Sequence, residues 1–245
     1  MGILGLLLAI SAITLAQWWH GGSLLTLFDG PALVIVLGGT LGAVILQTPT
    51  TYISLSVRQL LWVAIPPYQD LAAQAERLQV WAAFARQQGL LALEEQVEEV
   101  RDTFTQQGLT MIIDGIGGDD IRRLLEIDID IEQERNEHAA RVFESMGGYS
   151  PTIGIIGAVI GLIQAMSHLE DPEVLGASIA VAFVATIYGV GFANLVYLPV
   201  ANRLRAFHYR HVLFQEMTLE GLIAIAHGEN GLQVERRLRA YLKGE

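Results

Sequence analysis

The polar side chains on the long apolar segments of this sequence are the ones that could do chemistry, and they are few. They are the hydroxyl and amide groups of Thr152, Thr186, Tyr188 and Asn194. The chain has no Cys and its six His are scattered, so no thiol nucleophile, disulfide or metal-ligand set stands out. No glycine loop suited to a phosphate is present either. The residue types predict a protein that is not an enzyme and needs no cofactor.

The apolar segments also contain no Asp, Glu, Lys or Arg. Ionisable side chains inside a membrane are the usual ion relays of pumps and transporters. If this chain helps an ion across a membrane, another polypeptide must supply the carboxylate and this chain supplies a polar lining. Thr186 is a candidate for that lining, although a threonine in a membrane helix often donates its hydroxyl to a backbone carbonyl instead.

The composition of the whole chain narrows the class of protein further. Of 245 residues, 52% are hydrophobic and 17% are charged, whereas a soluble domain carries about 25% charged residues. The 26 acidic and 15 basic residues give a formal net charge of -11. Such a chain lacks the basic surface that a nucleic-acid backbone attracts, so nucleic-acid binding is excluded.

Four uncharged apolar segments, at 3–19, 31–47, 151–166 and 175–200, have the composition of membrane spans. The first two are about 17 residues long, the lower limit for crossing about 30 Å of hydrocarbon. Polar turns near His20, Gly22 and Asp29, and at 167–173, divide the four into two hairpins. The first segment could instead be a cleaved signal peptide, but no basic n-region precedes it. Buried helices of a soluble protein are the other alternative.

The basic residues are confined to two segments of the chain. Eight Lys and Arg lie in 58–141 and seven in 203–243, with none elsewhere. The positive-inside rule makes both segments cytoplasmic. We therefore expect a multi-pass membrane protein with both termini in the cytoplasm. Its parts are a transmembrane hairpin (1–48), a cytoplasmic helical domain (49–148), a second hairpin (149–201) and a cytoplasmic tail (202–245).

The cytoplasmic segments have the spacing of amphipathic helices. Apolar residues recur at intervals of three and four over 71–85 and again over 93–104, and Gly108 fits a helix end. The tail predicts two more short helices, over 219–226 and 234–242. One stretch, 126–132, alternates with period two as a strand does, but no partner strand is visible and good helix formers flank it. We predict an all-α fold with four transmembrane helices and a helical cytoplasmic domain.

Small residues and prolines mark the second hairpin. The third segment carries Gly154, Gly157 and Gly161, and the fourth carries Gly189 and Gly191. Small residues let membrane helices approach closely, either within the chain or between chains. Pro151 fits the first turn of the third helix, where proline is common. Pro199 removes a backbone hydrogen bond near the end of the fourth helix and predicts a kink.

Motifs distributed along the whole chain resemble those of the MotA family of flagellar stator subunits, in particular its shorter, MotC- and PomA-type branch. They are GGT at 38–40, FARQQGLLALEE at 84–95, YSPTIGIIG at 149–157 and ATIYG at 185–189. The third and fourth segments alone would be shared with ExbB and TolQ, but those relatives lack the N-terminal hairpin.

The resemblance implies an ion-driven motor in the bacterial inner membrane. Several copies, a pentamer in the relatives, surround a dimer of a MotB-like, single-span, peptidoglycan-binding protein. The partner's membrane Asp binds the ion, and the cytoplasmic domains push the rotor protein FliG through charge contacts. These expectations agree with the missing carboxylate inferred from the composition.

The resemblance also assigns roles to individual residues. Arg86 and Glu94 match rotor-contacting charges, with Glu95 a lesser candidate, whereas Gln87 departs from relatives that often have a second basic residue. Without the resemblance, Arg86 and Glu94 would be interpreted as an exposed helix-end pair worth about 0–1 kcal/mol. The residues matched to the ion path are Pro151, Pro199, Thr186, Ala158 and Ala185.

The last two of these residues bear on the identity of the ion. Sodium-type relatives tend to have hydroxyls where this chain has Ala158 and Ala185, and Na⁺ needs oxygen ligands to replace its water. We therefore expect H⁺ rather than Na⁺ as the transported ion. Two other functions stay open at this stage, an ExbB- or TolQ-type energiser of an outer-membrane system and a passive membrane scaffold.

Overall fold

The computed structural model describes residues 2–19, 21, 23, 27–67, 69–170 and 172–243. Every regular element within these residues is helical, which confirms the predicted all-α class. Of the predicted turns, His20, Gly22 and Asp171 lie outside the described residues. The helices are α1 (Gly2–Trp19), α2 (Gly30–Leu33), α3 (Gly39–Gln47), α4 (Thr50–Ala64), α5 (Leu71–Gln88), α6 (Glu94–Glu99), α7 (Thr103–Ile113), α8 (Gly118–Met166), α9 (Pro172–Phe192), α10 (Leu198–Ala226) and α11 (Gly231–Leu242).

Two π-helical turns join helices without a break. Val34–Gly38 connects α2 to α3, and Ala193–Tyr197 connects α9 to α10. A 3₁₀ turn, Leu90–Leu93, follows α5. The helices that contain the apolar segments are therefore longer and more continuous than the segments themselves.

Three helical stretches among the described residues are long and apolar enough to cross a membrane: Gly30–Gln47, Gly118–Met166 and Leu175–Ala226. The remaining predicted span, the first in the chain, falls on α1, whose apolar part, Leu4–Trp19, is shorter. Apolar helices are thus established, whereas a count of four spans stays a prediction.

The stretch with period-two alternation is helical, as predicted, and lies inside α8. Helical spacing buries Ile129 and leaves Ile127 and Ile131 exposed. The alternation of the sequence therefore does not correspond to alternating burial.

Helix boundaries near two prolines and a glycine differ from expectation. Pro151 does not begin a helix but lies in the interior of α8, which continues through Gly147 and Gly148. Gly147 permits close packing there, since a methyl group on it would come within 2.6 Å of Leu198. Membrane helices tolerate such a proline when neighbouring groups satisfy the freed carbonyl. The first tail helix is likewise not separate, since α10 runs through Pro199 to Ala226 without interruption.

The helix predicted over 93–104 is also wrong, because it is split into α6 and α7. The Asp102 side chain caps α7 by accepting a hydrogen bond from the Thr105 N–H at 2.8 Å. Gly108 lies inside α7, where a methyl group would come within 2.3 Å of Leu222 Cδ1. This glycine permits close helix packing and does not end a helix.

The chain divides into two compact units. The first comprises Met1–Pro66 with Glu137–Arg205, and the second comprises Pro67–Asn136 with Ala206–Glu245. In the first unit, small apolar cores form around Ala185 and around Phe143. The second unit has a larger core, which includes the fully buried side chains Leu71, Leu78, Leu93, Leu109, Leu125 and Leu222.

Candidate functional site

Close backbone contact joins α8 and α9, which carry most of the residues matched to the ion path from the sequence. A methyl group at Gly189 would lie 2.6 Å from the carbonyl oxygen of Ser150, and one at Gly154 would lie 2.9 Å from that of Ala185. At Gly161 the nearest atoms, all in Ala182, would be at 3.0 Å. Because real Cβ atoms do not approach backbone as closely as they would at Gly154 and Gly189, these two glycines are required for packing within the chain, and Gly161 lies at a contact that is only slightly wider. Gly191, in contrast, has nothing within 4 Å of such a methyl group.

The two alanines that bear on ion identity have different surroundings. Ala185 is fully buried, and its Cβ would lie 2.9 Å from a methyl group at Gly157. Ala158 is half-buried on α8. A hydroxyl at position 185 would therefore have to fit inside the contact between the two helices.

The polar side chains of the apolar helices are largely bonded to their own helices. Thr186 is half-buried, and its hydroxyl donates to the Ala182 carbonyl at 3.3 Å. Thr152 donates to the Tyr149 carbonyl at 2.7 Å, and the Asn194 amide to the Val190 carbonyl at 2.9 Å. Their oxygens can still accept a hydrogen bond. In a polar lining, these oxygens could therefore accept hydrogen bonds from water.

The Tyr188 hydroxyl, unlike those of Thr186 and Thr152, is bonded outside its own helix. It donates to the Leu27 carbonyl at 2.6 Å and accepts from the Asp29 N–H at 3.0 Å. Asp29 in turn caps α2, since its carboxylate accepts from the Ala32 N–H at 2.7 Å. Tyr188 thus ties α9 to the residues that begin α2. No sequence signal identifies this contact, because its partners are about 160 residues apart.

The two candidate prolines occupy different positions in their helices. Pro151 is half-buried in the interior of α8. Pro199 is the second residue of α10, directly after the π-turn Ala193–Tyr197. A proline cannot donate to the carbonyl four residues earlier and its ring crowds that carbonyl, and a wider turn relieves such crowding. Pro199 thus follows a π-turn within a continuous helix, and the kink expected at this residue stays a prediction.

The predicted rotor-contacting charges lie on either side of one turn. Arg86 is in the last turn of α5, and Glu94 and Glu95 are in the first turn of α6. A cation at the end of a helix and an anion at its start both interact favourably with the helix dipole. All three side chains are exposed. Within the described part of the chain, none of them has an ion-pair or hydrogen-bond partner. Arg86 and Glu94 therefore do not form the helix-end pair considered from the sequence.

The segment between these charges is held in place by buried contacts. Gly89 has φ +88, a left-handed conformation that ends α5. Leu93 of the 3₁₀ turn is fully buried in the core of the second unit. The Trp81 indole N–H donates to the Gln96 side chain at 3.3 Å. The charges are thus presented on a supported turn.

A charged cluster that the sequence did not reveal surrounds Arg205. Its guanidinium donates to Glu144 at 2.6 Å and to Glu137 at 2.8 Å. Hydrogen bonds to Glu144 first, and then to Glu137, raise the pKa of Arg205 above its usual range. The hydrogen bond from Arg205 lowers the pKa of Glu144, against a smaller opposing effect of burial. Arg205 thereby cross-links α8 and α10 in the first unit.

A second cluster lies in the other unit, around Glu132. Its carboxylate is 3.4 Å from Nε2 of His211 and accepts a hydrogen bond from the Gln215 amide at 2.8 Å. The His211 contact is the main reason that the pKa of Glu132 falls to about 2, with Gln215 contributing and burial opposing. Gln69 contacts the other ring nitrogen of His211. This cluster joins α8, α10 and the segment before α5.

No cluster of three or more His, Cys, Asp or Glu that could hold a metal ion occurs in the part of the chain that the structure describes.

Comparisons with known proteins identify the family. Residues 96–217 match the model of the MotA/TolQ/ExbB proton channel family. Motility protein A of Bacillus subtilis (strain 168) is 34% identical over 242 residues, which cover 98% of this chain and 89% of that protein. The structure of C. jejuni MotAB matches with a TM-score of 0.93 at 28% identity. That of the flagellar MotAB stator complex from Bacillus subtilis matches with a TM-score of 0.89 at 33% identity. Both structural matches cover 98% of this chain and 94% of the matched chain.

The apolar helices, the absence of charge from their apolar segments and the close glycine contact are typical of a membrane channel component. The chain belongs to the motility protein A group of the MotA/TolQ/ExbB proton channel family. The resemblance inferred from the motifs is therefore confirmed, and the comparisons do not favour the ExbB- or TolQ-type alternative. The family is one of proton channels and not a class of enzymes.

Proposed function

We propose that this chain is a stator subunit of the bacterial flagellar motor, which couples proton flow across the inner membrane to torque on the rotor. The observation that carries the proposal is the match to the Bacillus subtilis MotAB stator over 98% of this chain and 94% of the matched one. A match of that extent includes both the apolar helices and the helices that bear the exposed charges. The description of the family as proton channels supports H⁺ as the ion.

The proposed topology has four membrane spans with both termini in the cytoplasm. Residues 1–48 and 149–201 form the two hairpins, and 49–148 and 202–245 are cytoplasmic. The confinement of all 15 Lys and Arg to 58–141 and 203–243 supports this orientation.

The proposed partners follow from what this chain lacks. A MotB-like, single-span, peptidoglycan-binding subunit supplies the membrane carboxylate, and several copies of this chain, a pentamer as in the relatives, surround a dimer of it. The MotAB composition of the matched structures supports such a partner. FliG is the proposed rotor protein, contacted through Arg86, Glu94 and Glu95.

The proposed ion path runs along α8 and α9. Thr186 offers an acceptor oxygen on α9, and Ala158 and Ala185 leave no additional hydroxyls to ligate Na⁺. Pro151 and Pro199 lie where α8 and α10 lack one backbone donor each, which gives both helices a site of lower bending stiffness.

The proposal is tested by complementation and by flux. This chain, expressed with its own MotB-like partner in a bacterium lacking stators, should restore swimming in sodium-free medium. In vesicles, the pair should conduct protons, whereas the chain alone should not, since it has no carboxylate within its apolar segments. Swimming that stops without sodium would contradict proton coupling, and proton flux through the chain alone would contradict the division of roles.

A further inference from the structure

A polar cavity lies in the first unit, where the end of α3 and the start of α4 meet α8. Its volume of about 350 Å³ is at the lower end of the range for small-molecule sites. The residues that line it are Gln47, Thr48, Pro49, Tyr52, His138, Arg141, Val142 and Ser145. Six of these eight side chains can form hydrogen bonds, one is an arginine and none is a carboxylate. In a chain with 26 acidic residues, a lining that has a cation and no carboxylate favours an anionic ligand.

Arg141 supplies the positive charge of this cavity. Its guanidinium is 3.9 Å from Glu137, and this long contact is its one ion pair among the described residues. The nearby carboxylates of Glu137 and Glu144 accept much closer hydrogen bonds from Arg205, at 2.8 Å and 2.6 Å. Because Arg205 binds both acids, the N–H donors of Arg141 remain for a ligand.

Neutral donors surround the same space. The side-chain oxygen of Gln47 accepts from the Tyr149 hydroxyl at 2.7 Å, so the amide NH₂ group of Gln47 remains as a donor. Thr48 and Ser145 are half-buried, and within the described part of the chain their hydroxyls have no hydrogen-bond partner. An arginine together with hydroxyl and amide donors is the combination with which proteins bind phosphate oxygens.

The walls of the cavity are held by packing. The Tyr52 ring stacks on His138 with centroids 4.6 Å apart, which joins α4 to α8. On α8, Val142 is buried with Phe143 in one of the small cores of the first unit. The donors therefore keep their relative positions without a ligand, which lowers the entropy cost of binding one.

The place of the cavity along the chain determines which phosphates can reach it. Gln47 is the last residue of the apolar stretch Gly30–Gln47. In the proposed topology, the cavity therefore lies at the level of the cytoplasmic headgroups. A lipid phosphate reaches this level from the bilayer, and a dissolved phosphate reaches it from the cytoplasm.

We propose that this cavity is a phosphate-binding site, in which the Arg141 guanidinium binds the phosphate oxygens and Gln47 and Ser145 donate further hydrogen bonds. The same chemistry serves the headgroup of an anionic phospholipid and a dissolved phosphate. The depth of the site in the membrane rests on the topology of the proposed function, whereas its donors do not. A bound phosphate would link the end of α3 to α8.

The site is tested by ligand binding to the complex of this chain with its MotB-like partner. Arg141→Gln removes the charge of the cavity. The matched control is Arg135→Gln, because Arg135 is also on α8, is similarly exposed and lies 4.0 Å from Glu132. Native mass spectrometry counts the phosphatidylglycerol molecules bound per complex as the lipid is titrated, and calorimetry measures the binding of inorganic phosphate. We expect Arg141→Gln to weaken the binding of at least one of these probes by about tenfold or more, and Arg135→Gln to leave both unchanged.

The two probes separate the two sources of phosphate. A loss confined to phosphatidylglycerol assigns the site to a lipid headgroup, and a loss confined to inorganic phosphate assigns it to a dissolved ligand. Equal affinities of the Arg141→Gln and Arg135→Gln complexes for both probes would overturn the proposal, and so would the absence of saturable binding of either probe to the unchanged complex.

A second variant tests the cavity without removing its charge. Ser145→Ala should weaken the binding of the same probe several-fold, whereas Ser54→Ala, whose hydroxyl is exposed and donates to the Thr51 carbonyl, should not. Equal binding by these two variants would remove Ser145 from the site. None of these measurements needs motility, so a failed complementation assay is distinguishable from a failed phosphate site.

Discussion

At the scale of single residues, the polar groups of the apolar helices are hydrogen-bonded to their own backbones. The sequence identifies Thr186 as a candidate but cannot show that its proton points at the Ala182 carbonyl. Its oxygen keeps the capacity to accept a hydrogen bond. In the proposed ion path, Thr186 therefore acts as an acceptor.

Thr186→Val tests this role because valine keeps the shape and removes the oxygen. We expect proton flux and swimming speed at high load to fall about tenfold, the effect of losing one hydrogen bond of about 1–1.5 kcal/mol in the path. Thr186→Ser should retain most activity. Thr14→Val is the control, since its hydroxyl is also bonded to its own helix, at the Ser11 carbonyl, and α1 is not part of the proposed ion path. Unchanged swimming of Thr186→Val would remove Thr186 from the ion path.

The exposed charges at the turn after α5 lend themselves to a second test. Arg86 has no partner among the described residues, so Arg86→Glu should change thermal stability by less than about 0.5 kcal/mol. We expect the same variant to lose most torque in a tethered-cell assay while still co-purifying with the partner subunit.

The control for Arg86 is Arg123→Glu on α8. Arg123 is also exposed, but it pairs with Asp120 at 2.8 Å and is not a predicted rotor contact. The torque of the Arg123→Glu variant should stay near that of the unchanged protein. Equal loss of torque in both variants would mean that net charge, and not the position of Arg86, matters.

At the scale of elements, the sequence predicts helices well and their ends less well. The spacing of apolar residues is sufficient to predict α5 and α11, because their buried faces follow the helical period. It does not predict the break before α7, since the Asp102 cap is a local hydrogen bond with no effect on that period. Gly108 illustrates the same limit, because a glycine that ends a helix and one that admits Leu222 look alike in sequence.

The contact between α8 and α9 yields a prediction with a built-in control. Gly189→Ala would put a methyl group 2.6 Å from the Ser150 carbonyl oxygen, whereas Gly191→Ala meets nothing within 4 Å. We expect Gly189→Ala to destabilise the protein by about 1–3 kcal/mol through overpacking and Gly191→Ala to be neutral or slightly stabilising. Thermal unfolding of the purified complexes measures both. Equal melting temperatures for the two variants would contradict the observed packing.

The Tyr188 contact predicts a local effect at the start of α2. Tyr188→Phe leaves the Leu27 carbonyl and the Asp29 N–H without their partner, which should cost about 1–3 kcal/mol locally. We expect faster amide hydrogen exchange at residues 27–32 than in the unchanged protein. Tyr209→Phe, at a side chain that is 72% exposed, should not alter it. Unchanged exchange at 27–32 in Tyr188→Phe would argue against the contact.

At the scale of the whole molecule, the segregation of charge was sufficient to predict an all-helical membrane protein. It was not sufficient to locate Glu132 or Arg205 in their clusters, because those contacts join residues about 60 to 80 positions apart. Such pairings depend on how α8 and α10 lie side by side. The same holds for the candidate site. The motifs predict which residues belong to it, but they do not predict the hydrogen-bond partners of those residues.

The Glu132 cluster makes stability depend on acid. The pKa of the Glu132 carboxyl is lowered from 4.5 to about 2. The ionised carboxylate therefore stabilises the folded state fully above pH 4.5, and this stabilisation is lost progressively as the pH falls toward 2. We expect the melting temperature of the complex to fall over that range, and Glu132→Gln to show a smaller fall. Glu98→Gln, at an exposed position, is the control and should follow the unchanged protein. An identical acid dependence in Glu132→Gln would mean that other groups cause it.

The π-turn at Ala193–Tyr197 holds one residue more than an α-helical turn of the same rise. Deleting a single residue there would restore a regular α-helical turn and would leave the helix beyond it in nearly the same phase. Arg205 would then still face Glu137 and Glu144, to which it now donates. The same deletion within a regular part of α10 before Arg205 would instead turn that residue by about 100°. When this chain is aligned with others of its kind, a one-residue gap at this turn is therefore compatible with unchanged helix packing on both sides of it.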